Sequence, residues 1–500
     1  MTEKTAAIIR AAKGRLTEPM VGGLDRYDSR TVETKLAAVH AFDKAHLVML
    51  VETGLLGRRD GALMLGALRD METEEGAVAA RLRIGGALHS GEYYLTERLG
   101  AKLGGFIHLG RSSADLAGVS RRIVLRAAIL SMTRQLIAVQ LAVLRAAPDY
   151  LDCIIPAYTH GQHAQPTTYA HWLMMWANVF QRDTQRLLDG FDRLNLSPAG
   201  AAVATGTDFP IDRARVAALL GFDGILVNTM DATLSNDVFA EYVSIISLLC
   251  ANMGRLAEDL LFWTTQEAGL ALIPDRFCDT SSIMSQKKNP SFLHELRALG
   301  AEASATLLLV GNIEAGTTGQ SVHARKTAEN AVWALIGKVA TRLPQMADLI
   351  AHTKIDAQRA RQLTENSWSQ ATDIASALVR HLGLNWREAH RVVSILVRLA
   401  TERRLSPRQV DLALLETALA EAEIAASDLG SFDIAAAVDV QAFVERRTNE
   451  GGPAPSAVMS NIASLRNTAT AQQTEMEAAE HAIVGASQEL ESAIEMIISG

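Results

Sequence analysis

Cysteine is scarce in this chain. Cys153, Cys250 and Cys278 are the only three in 500 residues, and they show no metal-ligand spacing. That excludes a disulfide framework or a zinc ribbon as the organising device and fits a reducing compartment. Aromatic residues make up 5% of the chain, and alternating Val, Ile, Thr and aromatic runs are almost absent, which argues against a sheet protein. Basic clusters are missing as well: the formal net charge is −8, and no group of four or more Lys/Arg stands together. Nucleic acid and anionic membrane surfaces are therefore excluded as partners. The first ten residues carry charge within four positions and no signal-length apolar block, and no uninterrupted apolar run of 18 residues occurs elsewhere. The expected location is the cytoplasm.

Proline is absent over long stretches, between Pro19 and Pro148, Pro210 and Pro274, Pro290 and Pro344, and Pro344 and Pro407. Such gaps suit long helices, with the prolines as their boundaries. Within them apolar positions recur every three or four residues. One stripe runs Phe239, Tyr242, Val243, Ile246, Leu249, Cys250, Met253, Leu256, Leu260; others run Leu173, Trp176, Phe180, Leu187, Leu188 and Leu296, Leu299, Ala303, Leu307, Val310. The expected fold class is all-α: an elongated central helical bundle with smaller N- and C-terminal helical domains. A 48% apolar content allows a sizeable core, and a second chain is needed to cover every stripe. Breaks at Gly104-Gly105, at 364–368 and at Gly451-Gly452-Pro453 divide the chain into 1–107, 108–364, 365–455 and a helical extension, 456–500.

Three separated polar segments can carry chemistry. His108-Leu109-Gly110-Arg111-Ser112-Ser113-Ala114-Asp115 could place a guanidinium and hydroxyls on a carboxylate; taken alone it is also a helix-entry turn capped by Ser112 or Ser113. Tyr158-Thr159-His160-Gly161-Gln162-His163, with His171 beyond, offers histidines able to deliver a proton near neutrality. Its spacing lacks the accompanying carboxylate of a metal site, so no metal is expected there. Residues 280–290, Thr-Ser-Ser-Ile-Met-Ser-Gln-Lys-Lys-Asn-Pro, pack hydroxyls, ammonium groups and an amide into one glycine-free loop. Ser281 and Ser282 with Met284, Lys287 and Asn289 combine a proton acceptor with donors for a carboxylate.

That loop resembles the signature of the fumarase/aspartase superfamily, and its Gln286-Lys287-Lys288-Asn289-Pro290 form is similar to argininosuccinate lyase. The resemblance extends over roughly Met1 to Pro455. It implies a homotetramer in which the three segments, from three different subunits, meet at one active site that eliminates fumarate from a small-molecule N-substituted aspartate without metal or organic cofactor. It implies Ser281 as the base, His160 as the general acid or its relay, and Ser112, Thr159, Ser282, Lys287 and Asn289 around the fumarate half. His89 and Gln162 lie nearby, and Arg111, Ser113 and Met284 complete the substrate-binding set.

The chain also departs from that family. Ser113-Ala114 stands where argininosuccinate lyases carry Arg-Asn, and Ser321-Val322-His323-Ala324-Arg325-Lys326 stands where a Tyr-Asn-Lys-Asp-Leu-Gln segment binds the arginine end. His323, Arg325 and Lys326 repel an arginine side chain, so the expected leaving amine is anionic, of the iminodisuccinate or ethylenediamine-disuccinate type. A solvated basic helix face is the alternative reading of the same three residues. The glutamate that supports the histidine in the family falls at His294, with Glu295 one place on, leaving the support of His160 open between them. Argininosuccinate lyase itself, and an inactive structural homologue, are the competing readings of the whole chain.

Overall fold

The computed structural model describes residues 29–500 apart from 86, 317, 318, 320, 321 and 426–428; the side chains of 29–32 and 322–324 also lie outside the description. Residues 1–28 of the expected N-terminal domain are thus outside the described residues. The described chain is all-α in architecture. Helices α1 (Ser29–Glu52), α2 (Arg58–Glu74), α3 (Ala77–Ile84) and α4 (Ser90–Leu99) lead into the 34-residue α5 (Ser113–Ala146). Then come a hairpin, β1 (Ile154–Thr159) and β2 (Gln162–Thr168), and the long helices α6 (Tyr169–Asp189), α7 (Asp237–Trp263), α8 (Ser291–Glu314) and α9 (Val322–His352). Shorter helices follow, α10 (Ala371–Leu382), α11 (Trp386–Glu402) and α12 (Leu412–Glu421), and the chain ends in the 45-residue α13 (Pro455–Ser499).

The apolar stripes explain the packing. Every residue of the stripe in α7 from Phe239 to Leu260 is buried, and it joins Trp176, Phe180, Leu296, Val310, Leu335 and Leu343 in the largest core cluster. Each such aliphatic or aromatic side chain contributes about 1.5–3 kcal/mol on burial. A second cluster gathers Phe42, Met49, Met64, Leu68 and Leu95, and a third gathers Ile374, Leu378, Val392, Leu396 and Leu415. Pro344 is not a boundary: it lies inside α9, where the helix continues to His352. Its neighbours Leu343 and Met346 are fully buried, so packing outweighs the lost backbone hydrogen bond. The stretch Ser113–Tyr150 is long and apolar enough to cross a membrane by composition, although charges interrupt it; most of its apolar window is buried inside the protein, as in a core helix.

Helix direction places the polar segments. At one end of the bundle Arg121 of α5 donates to Asn236, just before α7, at 2.6 Å. Asn236 donates to Glu314 at the end of α8 at 3.0 Å, and Glu329 of α9 lies 3.9 Å from Arg121. At the other end the Tyr150 ring meets Tyr169 edge-on at 4.8 Å, and Trp172 lies 4.7 Å from Trp263. The two ends are about 50 Å apart, the length of a 34-residue helix at 1.5 Å per residue.

The final helix is no loose extension. Val458, Ile462 and Leu465 enter the largest cluster, while Leu490, Ala493, Ile494 and Ile497 enter the N-terminal one. Arg134–Glu480, Arg215–Glu489, Lys44–Glu491 and Arg69–Glu495 pairs fasten it along its length.

Candidate active site

The first polar segment is held by a buried ion network. Asp43 of α1, with its carboxylate almost wholly enclosed, accepts from Arg81 at 2.5 Å and from Arg111 at 2.6 Å. Burial pushes the Asp43 carboxyl up, but the two guanidiniums outweigh it and hold it below the usual carboxylate range. Arg111, expected to bind substrate, is instead turned inward: its side chain is 2% exposed and its guanidinium lies 5.2 Å from the Phe42 ring. The inward turn has a simple cause, since a buried carboxylate binds a guanidinium more strongly than solvent does, although Arg111 Nε and Nη1 stay without a hydrogen-bond partner among the described residues. His46 Nε2 donates to the Leu109 carbonyl at 2.9 Å, and burial pushes its pKa down to about 3.

Beyond this anchor, Ser112 caps α5. Its hydroxyl accepts from Ala114 N–H at 3.0 Å and donates to the Ala202 carbonyl at 2.9 Å, while Asp115 accepts from Ser112 N–H at 2.7 Å. The capping box makes Ser112 a helix-entry residue whatever else it does. Ser113 is exposed on the first turn. Nearby, His89 and His108 stack at 5.3 Å, and both Nδ1 atoms face Glu92, at 3.4 and 3.3 Å. Burial pushes the Glu92 carboxyl up, but the two histidines hold it down at about 2.

The second segment forms the tip of the β1–β2 hairpin. Thr159 pairs with Gln162, leaving His160 and Gly161 as a two-residue turn with φ of 54° and 70°. Two left-handed residues are the requirement of a type I′ turn, met by Gly161 without strain and by His160 at some cost. Thr159, His160, Gln162 and His163 are therefore exposed at the tip. His171 is not among them: it sits in α6 with its ring between the Thr167 hydroxyl (2.8 Å) and the Gly451 carbonyl (2.9 Å). A cavity of about 590 Å³ runs under this hairpin, lined by Tyr158, Gly161, Gln165, Trp172, Phe262 and Arg447 among others, but it contains none of His160, Ser281 and Lys287.

The signature loop is pinched off by two short paired strands, β3 (Asp279–Thr280) and β4 (Lys288–Asn289). Asn289 donates to Asp279 at 2.7 Å and Lys288 to the Ile273 carbonyl at 2.7 Å, so both close the base of the loop. Within it, the Ser281 oxygen accepts from two backbone N–H groups, Ile283 at 3.3 Å and Met284 at 3.1 Å. Ser282, Ile283, Met284 and Lys287 project outward, with Ile283 88% exposed. Glu295 pairs with Arg342 at 2.6 Å, and His294 is exposed.

The structure thus keeps the hairpin tip and the signature loop at one end of the bundle and the His89, Ser112, Ser113 region at the other. Lys326 lies with Lys35, Arg121, Arg325 and Glu329 at that far end; the His323 side chain is outside the described residues. Arg325 is occupied locally, donating to the Leu234 carbonyl. Sequence reasoning missed Asp43 because its partners Arg81 and Arg111 are 38 and 68 residues away, whereas the His89–Glu92 spacing of three residues was a local signal for Glu92 that went unread.

Comparison with other proteins places the chain. The family model described as Lyase matches residues 79–303, and that described as Argininosuccinate lyase C-terminal matches 368–445. The argininosuccinate lyase of Methanothrix thermoacetophila is 34% identical over 95% of each chain. This chain belongs to the argininosuccinate lyase-like branch of the fumarase/aspartase superfamily. Within the superfamily, the EDDS lyase variant with bound fumarate superposes with a TM-score of 0.84 at 30% identity, covering 94% of this chain and 93% of its own. A class II fumarase from Schistosoma mansoni shares the fold at 14% identity, with a TM-score of 0.65 over 88% of this chain and 95% of its own. As a member of the argininosuccinate lyase-like branch, the protein is a fumarate-releasing carbon–nitrogen lyase.

Proposed function

We propose that the protein cleaves an N-substituted aspartate whose leaving amine carries carboxylates, with Ser281 as the base. The observation that carries the chemistry is the double backbone N–H contact to the Ser281 oxygen. A serine hydroxyl is a poor base, but an alkoxide held by two fixed dipoles with Lys287 on the same loop is a competent one. Ser281 removes the Cβ proton, and the electron pair moves onto the adjacent carboxylate as an aci-carboxylate dianion. Lys287 neutralises that charge as it develops, with Thr159, Ser282 and the amide N–H that Asn289 does not spend on Asp279 as further donors. Collapse of the dianion forms the C=C bond of fumarate and breaks the C–N bond, and His160 supplies the proton that leaves with the amine.

One chain does not bring these groups to one point, because about 50 Å of helix separates Ser112 from the hairpin and loop. Packing such bundles antiparallel brings opposite ends together, so the site is completed by neighbouring chains of a homotetramer. The exposed apolar side chains on the bundle helices, Leu248 of α7 and Leu308 of α8, fit a face covered by another copy.

The choice of an anionic amine rests on charge at the Ser112 end. Lys35, Arg121, Arg325 and Lys326 stand there against Glu314 and Glu329. Arg122 stands beside them with Asp231 and Asp237, so the basic excess is small; it favours extra carboxylates over a guanidinium. The EDDS lyase likeness supports this reading, while the argininosuccinate lyase relatives favour arginine as the alternative leaving group. Offering iminodisuccinate, ethylenediamine-disuccinate and argininosuccinate and following fumarate absorbance decides between them. Preference for argininosuccinate overturns the anionic assignment.

A further inference from the structure

We propose that His89, Glu92 and His108 form a binding site for one divalent transition-metal ion of the zinc class. The elimination chemistry needs no metal, so this site does not rest on that reading, although His89 belongs to the expected substrate-binding set as well.

His89 and Glu92 stand one helical turn apart on continuous chain, and His108 comes from a second piece. His89 ends a short 3₁₀ turn (Ala87–His89), Glu92 lies in the first turn of α4, and His108 ends a second 3₁₀ turn (Gly105–His108). Their candidate ligand atoms all lie within 4.8 Å of one another. The ring stacking, with planes 27° apart, sets both Nδ1 atoms toward the same Glu92 oxygen. The separations of 3.4 and 3.3 Å are long for an imidazolium–carboxylate hydrogen bond, which prefers about 2.7–2.9 Å. His108 Nδ1 is buried and makes no hydrogen bond. The same separations match the edge of a tetrahedron around zinc: with bonds of about 2.0–2.1 Å, neighbouring ligand atoms stand about 3.3–3.4 Å apart. Two imidazoles and one carboxylate are also a donor set that zinc-class ions favour, leaving the fourth position open to water or another ligand.

The surroundings hold this triad in place. Ser90 accepts from Arg81 at 3.3 Å, and a Cβ at Gly91 would stand 2.2 Å from the Asp43 carboxylate, so the first turn of α4 is packed directly on the buried ion network. His46 fixes the backbone next to His108 at Leu109. The triad itself remains reachable, with side chains 25%, 27% and 37% exposed for His89, Glu92 and His108. Binding releases protons from any protonated imidazole and transfers no electrons.

The test uses untagged full-length protein, stripped with chelator and titrated with Co²⁺ as a visible probe. The expected result is one ion per chain with the intense absorption of tetrahedral cobalt, abolished by one equivalent of Zn²⁺. Glu92→Gln and His108→Gln should each weaken binding at least about tenfold, with circular dichroism confirming that the variants are folded. If one variant fails to fold, the other carries the comparison. Absence of tetrahedral cobalt bands in the wild-type protein, or unchanged affinity in a folded variant, overturns the proposal. Fumarate release is not the readout, so failure here leaves the assignment of Ser281 untouched.

Discussion

At the scale of single residues, the signature loop separates two kinds of polar group. Ser281 is pre-set by two N–H donors and Lys287 extends from the loop, whereas Asn289 and Lys288 spend a hydrogen bond each on closing its base. Ser281→Ala should therefore lower kcat by about two to four orders of magnitude with little change in melting temperature; fumarate release by the purified variant checks this. Lys287→Met should lower kcat/KM by about two to three orders of magnitude, the usual effect of removing one donor to a developing anion. Steady-state kinetics on the accepted substrate measure it. His46 makes a separate prediction. Its imidazole is buried neutral, with a pKa of about 3 against 6.5 when unfolded. The folded pKa is depressed, so this stability is fully present above pH 6.5 and is lost as pH falls toward 3. Between pH 6.5 and 5 the loss from this group is about 2 kcal/mol. Urea unfolding at pH 7.5, 6 and 5 should show that decline, and His46→Gln should flatten it relative to wild type.

At the scale of elements, the helical stripes were legible because period and burial coincide: every named position from Phe239 to Leu260 is in the core. The cap at Ser112 was legible too, since hydroxyl, helix start and Asp115 are neighbours in sequence. The hairpin was not. Its alternation covers only residues 154–168, includes two prolines, and is interrupted by a register shift between Pro156 and Tyr158. The Arg111–Asp43 pair was not legible for another reason. Asp43 is 68 residues away from Arg111, and nothing local distinguishes a guanidinium that meets substrate from one that meets a buried carboxylate. The same network makes α4 sensitive to one methyl group. Gly91→Ala places a Cβ 2.2 Å from Asp43 Oδ2 and 2.9 Å from an Arg81 nitrogen. Displacing that pair should cost about 3–5 kcal/mol, read as a lowered urea midpoint.

At the scale of the molecule, the separation of the polar segments within one chain gives the proposed shared site a direct test. If the Ser112 region and the signature loop of one site come from different chains, two inactive variants can repair each other. Co-expressed Ser112→Ala and Ser281→Ala chains should regain about a quarter of wild-type activity, because half of the chains at each of two positions are intact. Each variant alone should stay inactive, and mixing without subunit exchange should restore nothing; assays before and after joint refolding measure the difference. Assembly of this kind was not readable from composition; the family resemblance implied it, and helix length and direction, which set the two ends apart, support it.

The closing helix has a consequence for biosynthesis. Leu490, Ala493, Ile494 and Ile497 complete the apolar cluster begun by Phe42 and Met49, so the earliest part of the chain cannot finish folding until the last part has been made. At translation rates of about 5–20 residues per second, a nascent chain waits roughly 20–90 s with that surface open to solvent. The N-terminal cluster therefore stays incomplete until residues 490–497 are available to pack on it.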